Sequence, residues 1–125
     1  MSQNIMIVDD SPTLRTSVLY TLSEQGYNVL EAENGVDALK KLIEFQEKGI
    51  VISLILSDIN MPEMDGITFI QEVKKSNLKF IPVIVLTTED RDDLKNKGRE
   101  AGAAAWLVKP FKEEQLLWVV KKFTR

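Results

Sequence analysis

The sequence contains no cysteine and no histidine. Without cysteine there is no disulfide framework and no thiolate metal site. Without histidine the commonest general base and the commonest zinc ligand are both missing, and the chain cannot itself carry a phosphohistidine. A basic excess is also absent. The 16 Lys and Arg residues face 19 Asp and Glu, for a net charge of −3, which speaks against a nucleic-acid partner. No apolar run approaches the roughly 20 residues that span a bilayer, and the opening Met-Ser-Gln-Asn is unlike a signal peptide. No membrane partner and a cytoplasmic location are therefore expected. Nor is there an internal repeat, a linker or a low-complexity segment. One domain spanning 1–125, long enough to bury a core and without room for a second unit, is expected, as is a monomer.

What is present has the composition of an ordinary soluble globular protein, 44% hydrophobic and 28% charged. The stretch Leu54-Ile55-Leu56-Ser57-Asp58-Ile59-Asn60-Met61-Pro62 organises the chain. A short apolar run suits a strand buried on both faces of a parallel sheet, and such sheets place ligands at the carboxyl ends of their strands. Asp58 therefore belongs at the rim where chemistry is done.

The remaining elements follow from periodicity and turn signals. Strands are expected at Ile5 to Val8, Asn28 to Ala32, Ile52 to Ser57, Pro82 to Thr87 and Ala104 to Val108. Ser11-Pro12 starts helix 1 as N-cap and first helical residue, with Leu14, Val18, Leu19 and Leu22 along its apolar stripe and Gly26 as its stop. Helix 2 follows Asn34-Gly35, with Ala38, Leu39, Leu42 and Ile43 facing in, and ends near Gly49. Helix 3 opens at Asp65-Gly66 and packs through Phe69, Ile70 and Val73. Helix 4, Arg91 to Ala101, has Leu94 as its only large apolar residue and contains Gly98, so it is expected to be the least firmly held. Helix 5 runs from Glu113 to Phe123. Five strands alternating with five helices predict an α/β fold with a doubly wound parallel sheet. The expected order is 2-1-3-4-5, with helices 1 and 5 on one face and 2, 3 and 4 on the other.

Two of those strands end in acids. If the ends of strands 1 and 3 are neighbours, Asp9, Asp10 and Asp58 share a site. Close carboxylates disfavour one another's ionisation, and a hard cation relieves the repulsion. An all-oxygen donor set favours Mg²⁺ or Mn²⁺ over zinc or copper. Lys109 precedes Pro110 at the end of strand 5, where the proline restricts its backbone. A lysine reaching towards an acidic, metal-bearing site is the arrangement that phosphoryl chemistry uses. Thr87, at the end of strand 4, has a hydroxyl to offer the same oxygens. Each residue taken singly also has an ordinary structural explanation, as cap, turn or surface charge; the combination at successive strand ends does not.

The ordered set Asp9-Asp10, Asp58-x-Asn60-Met61-Pro62, Asp65-Gly66, Thr87 and Lys109-Pro110 closely resembles the receiver domain of two-component response regulators, and the spacing looks most like the stand-alone chemotaxis members. The resemblance runs from residue 5 to about 123. It implies that Asp58 accepts a phosphoryl group from a histidine kinase. It implies Mg²⁺ held by Asp10 and Asp58, by Asp9 through water and by the backbone carbonyl of Asn60. Thr87 and Lys109 would contact the phosphoryl oxygens, and Asn60 and Glu89 would tune its lifetime. Helix 4, strand 5 and helix 5 would form the output surface for a downstream protein that the sequence does not identify. Three departures stand out: Trp106 where the switch aromatic is usually Tyr or Phe, Thr88 where a smaller residue is common, and Lys112 where a Ser or Thr often caps helix 5.

Two other functions compete with a switch. A phosphatase or phosphotransferase with an aspartate nucleophile shares the chemistry, but it needs an acid two residues after the nucleophile to protonate the leaving group. Asn60 stands there. A flavin- or nucleotide-binding protein of the same architecture needs a Gly- or Ser/Thr-rich loop after strand 1, where this chain has Asp9-Asp10. A signalling module, not an enzyme acting on other substrates, is the expectation.

Overall fold

A computed structural model describes residues 2–124. Five strands, β1 (Asn4–Val8), β2 (Asn28–Ala32), β3 (Ile52–Ser57), β4 (Val83–Thr87) and β5 (Ala105–Val108), alternate with five helices. The helices are α1 (Pro12–Glu24), α2 (Gly35–Glu47), α3 (Gly66–Lys75), α4 (Asp92–Ala101) and α5 (Glu113–Phe123). Every strand pairing is parallel and the order is β2-β1-β3-β4-β5, as the sequence predicts.

Helices on both faces explain why the central strands are almost entirely apolar. Met6, Val8, Ile55, Val83 and Val85 pack with Ala38 and Leu42 of α2 and Phe69, Ile70 and Val73 of α3. Ile5, Ile7, Leu54, Leu56, Ile84 and Leu86 point the other way, onto Val18 and Leu22 of α1 and Leu116, Val119 and Val120 of α5. The alternation has one break. Ile52 and Ile55 face the same side because the β1–β3 register slips between Asn4 and Ile5. One extra residue there, Ser53, reverses the pleat.

Side-chain caps begin three of the helices. Ser11 Oγ accepts from Leu14 N–H, Asn34 Oδ1 from Asp37 N–H and Asp65 Oδ1 from Thr68 N–H, each worth about 1 kcal/mol. Lys112 has no such bond to offer α5; instead the side chain of Gln115 reaches back to accept from Lys112 N–H at 2.8 Å. One expectation fails. Ile43 is 55% exposed and does not face the core. It lies one residue, about 100° of helical turn, beyond buried Leu42, outside the stripe that meets the sheet.

Candidate functional site

Asp9, Asp58 and Lys109 each occupy the first position after a strand, and the backbone N–H of each makes one further rung to a neighbouring strand. Asp9 N–H donates to Ala32 O at 3.1 Å, Asp58 N–H to Val8 O at 3.0 Å and Lys109 N–H to Thr87 O at 2.7 Å. The sheet itself therefore sets the spacing of these side chains along its carboxyl edge. The Lys109–Pro110 peptide is cis.

The side chains converge. Lys109 Nζ lies 2.9 Å from Asp9 Oδ2 and 3.0 Å from Asp58 Oδ2. The other Asp58 oxygen accepts from Ile59 N–H at 2.6 Å and from Asn60 N–H at 3.2 Å. Asp58 is 8% exposed, whereas Asp9 is buried and Asp10 exposed. Burial is the strongest influence on Asp9 and pushes its carboxyl above the usual range, against hydrogen bonds from Lys109 and from Ser11 N–H. Burial also works to discharge Lys109, but its bonds to Asp9 and Asp58 and their charges outweigh it and hold the ammonium above its ordinary pKa.

Oxygens of Asp9, Asp10 and Asp58 lie within 4.8 Å of one another. A Mg²⁺ ion holds its ligands at about 2.1 Å, so that opposite donors sit about 4.2 Å apart. When all three carboxylates are ionised, Lys109 leaves a surplus of two negative charges. Hard oxygen donors, near-matching separation and uncompensated charge all fit a small divalent cation.

Thr87, fully buried at the end of β4, accepts from Glu89 N–H at 3.4 Å. Glu89 O in turn accepts from Trp106 Nε1 at 2.9 Å. A short chain of bonds therefore joins the rim to the candidate switch ring. Trp106 packs against Gly98 of α4, where an added Cβ would lie 2.7 Å from indole Cζ3. The sequence suggested that Gly98 loosens α4; in the fold it makes room for the indole. Asn60 Nδ2 donates to Glu89 Oε1 at 3.2 Å, so the two residues expected to tune phosphoryl lifetime touch across the mouth of the site. Thr88 is exposed at that mouth. Trp118, 65% exposed, shares a surface groove with Ala105, Trp106 and Leu107 of β5 and Glu114, Gln115 and Val119 of α5. It therefore lies beside the candidate switch ring on the same surface.

Two sets of contacts escaped the sequence reading, those of Gly66 and those of Arg15. Gly66 N–H donates to Ile59 O at 2.8 Å, and its Cα lies so close to the Asp58 peptide that an added Cβ would sit 2.2 Å from Asp58 O. Arg15 of α1 donates from Nη1 to the backbone carbonyl of Asp9 and from Nε to Glu31 Oε1 at 3.1 Å. An Asp-Gly pair signals a turn, but nothing in the sequence signals that Gly66 meets Asp58, or that an arginine on a helix face reaches two strand ends.

Known proteins share this arrangement of sequence and fold. The chemotaxis protein CheY1 of Helicobacter pylori J99 is 39% identical over 114 residues, 90% of this chain and 89% of the relative. The sensor histidine kinase CheAY of H. pylori 26695 is 36% identical over 119 residues, 94% of this chain but only 14% of that larger protein. The crystallized chemotaxis protein CheY4 of Vibrio cholerae superposes with a TM-score of 0.88 at 39% identity, covering 98% of this chain and 99% of that one. Since the response regulator receiver domain profile also matches residues 5–121, the chain belongs to the family of response regulator receiver domains.

Proposed function

We propose that the chain is a phosphorylation-dependent signalling switch in which Asp58 takes a phosphoryl group from the phosphohistidine of a histidine kinase. The observation that carries this reading is the Asp58 carboxylate at the end of a central strand, 3.0 Å from the Lys109 ammonium and clustered with Asp9 and Asp10. A P–O bond forms at Asp58 as the donor's P–N bond breaks, and the departing imidazole takes up a proton. Ile59 and Asn60 N–H hold the carboxylate in place, while Lys109 neutralises charge on the transferring oxygens. Asp10, Asp58 and the Asn60 carbonyl would hold Mg²⁺ directly and Asp9 through water; when bound, the ion neutralises further charge on the same oxygens. Hydrolysis later returns Asp58 to a carboxylate. Asn60 has no acidic proton to give a leaving alcohol, which favours a switch over an enzyme that consumes phosphate esters. The corresponding setting is a cytoplasmic monomer that meets kinase and target by diffusion, the target being a protein read through α4, β5 and α5.

The direct test is incubation with Mg²⁺ and acetyl phosphate. One phosphoryl group is expected, on the peptide carrying Asp58 and lost at alkaline pH as a mixed anhydride should be. No label, or a stable label elsewhere, sinks the proposal. The metal assignment has its own test. Asp10→Ala removes one of three anionic donors, so Mg²⁺ affinity should fall about tenfold or more, which corresponds to 1.4 kcal/mol. Unchanged affinity by calorimetric titration would rule Asp10 out as a ligand.

The output step runs through Thr87, Glu89 and Trp106. A phosphoryl group draws the Thr87 hydroxyl towards its oxygens, the Glu89 segment adjusts, and the indole follows. Two packed arrangements a few kcal/mol apart are enough for one charge-assisted bond to bias them. Tryptophan fluorescence should shift when Mg²⁺ and beryllofluoride, a stand-in for the phosphoryl group, are added. The shift should vanish in Trp106→Phe and survive in Trp118→Phe. A signal that follows Trp118 alone would move the output to α5.

A further inference from the structure

Asp10 is the most exposed of the three clustered carboxylates, and its side chain makes no hydrogen bond or ion pair among the described residues. No side-chain bond aims it, so the position of its backbone decides where the carboxylate can reach. The peptide group that places it joins Asp9 to Asp10. On the near side, Asp9 N–H is fixed by Ala32 O. The carbonyl of that peptide is held by Arg15 Nη1. Arg15 in turn is anchored through Nε to Glu31 Oε1, and the backbone carbonyl of Glu31 accepts from Lys41 Nζ at 2.8 Å. The Arg15 side chain as a whole is largely buried, with 16% exposed.

From this geometry we infer that Arg15 is a positioning residue for the divalent cation: it locks the Asp9–Asp10 peptide so that the Asp10 carboxylate points into the cluster. The inference rests on the proposed Mg²⁺ site and adds to it a residue that does not touch the ion. An arginine suits the task better than a lysine. Its planar fork presents two N–H donors in different directions at once, here to a carbonyl on β1's end and a carboxylate on β2.

Charge and geometry make opposite predictions for this residue. The positive charge of Arg15 opposes a dication nearby, so removing it should tighten Mg²⁺ binding if electrostatics alone mattered. Removing the lock should weaken binding, because a free Asp9–Asp10 peptide no longer aims Asp10.

Mg²⁺ titrated calorimetrically into the unphosphorylated protein separates the two. Arg15→Ala is expected to weaken binding by about tenfold, the lower end of the loss seen when a group that orients a metal ligand is removed. Arg15→Lys keeps the charge but loses the planar fork that spans the two acceptors, so it should fall between the parent and the alanine variant. In an Asp10→Ala background, Arg15→Ala should cause no further weakening, since the side chain through which it acts is gone. An alanine variant that binds Mg²⁺ as tightly as the parent, or more tightly, overturns the inference. So does an equal weakening with and without Asp10, which a general loosening of the fold would give. If the parent itself fails to bind Mg²⁺, the metal site falls rather than the role of Arg15 within it.

Discussion

Asp58→Asn should fold normally and take up no phosphoryl group from acetyl phosphate. The amide keeps a carbonyl oxygen for the N–H groups of Ile59 and Asn60, which now hold one carboxylate oxygen. The change removes a charge from a nearly buried position, so the fold loses no apolar packing, and Lys109 retains Asp9 as a partner at 2.9 Å. The chemistry, by contrast, disappears. A neutral amide is not a competent nucleophile towards phosphorus, and the cluster loses one of its three anionic donors. Intact-mass spectrometry and a melting curve measured together decide the matter. A variant that melts like the parent and still gains a phosphoryl group would mean that another residue is the acceptor.

The largest effect on stability is expected at Gly66. In most helices an alanine in place of glycine adds about 1 kcal/mol. Here a Cβ would sit 2.2 Å from Asp58 O and 2.7 Å from Ile59 Cα. Both atoms are backbone, so no side-chain rotation relieves the clash; either α3 or the segment after β3 must move. Forced overpacking of this kind costs about 1–3 kcal/mol and occasionally more, and the sign is opposite to that of helix propensity. Gly66→Ala should therefore lower the melting temperature by roughly 10 °C and slow phosphoryl uptake wherever the segment after β3 yields, because that segment follows directly on Asp58. An unchanged or higher melting temperature would show that the α3 start relaxes freely away from the strand end.

Strands and their order were legible because the requirement is simple. A strand covered on both faces must be apolar throughout, and Leu54 to Leu56 or Val83 to Leu86 meet that condition without ambiguity. The candidate site residues were legible for a related reason: charge at the end of such a run has only the sheet edge to occupy. What escaped the sequence depends on contacts between elements. The extra residue at Ser53 changes no composition, yet it puts Ile52 and Ile55 on the same face. Ile43 continues an apolar pattern in α2 but falls just outside the stripe the sheet covers. Gly98 reads as a helix weakener until the indole of Trp106 is seen against it, and Arg15 gives no signal until both its acceptors are in place. The candidate switch and the candidate metal lock are both of this second kind.

The extra ladder rungs at Asp9, Asp58 and Lys109 bear on how long the site keeps its shape. Amides bonded into a buried sheet open less often than those of loops and lightly packed helices. Hydrogen exchange at these three ladder-bonded amides should be slower than exchange along α4. The proposed nucleophile Asp58, its partner Lys109 and the candidate cation site would then keep their separations through every local opening of the proposed output surface. Such a division would let that face fluctuate without loosening the candidate site beneath it.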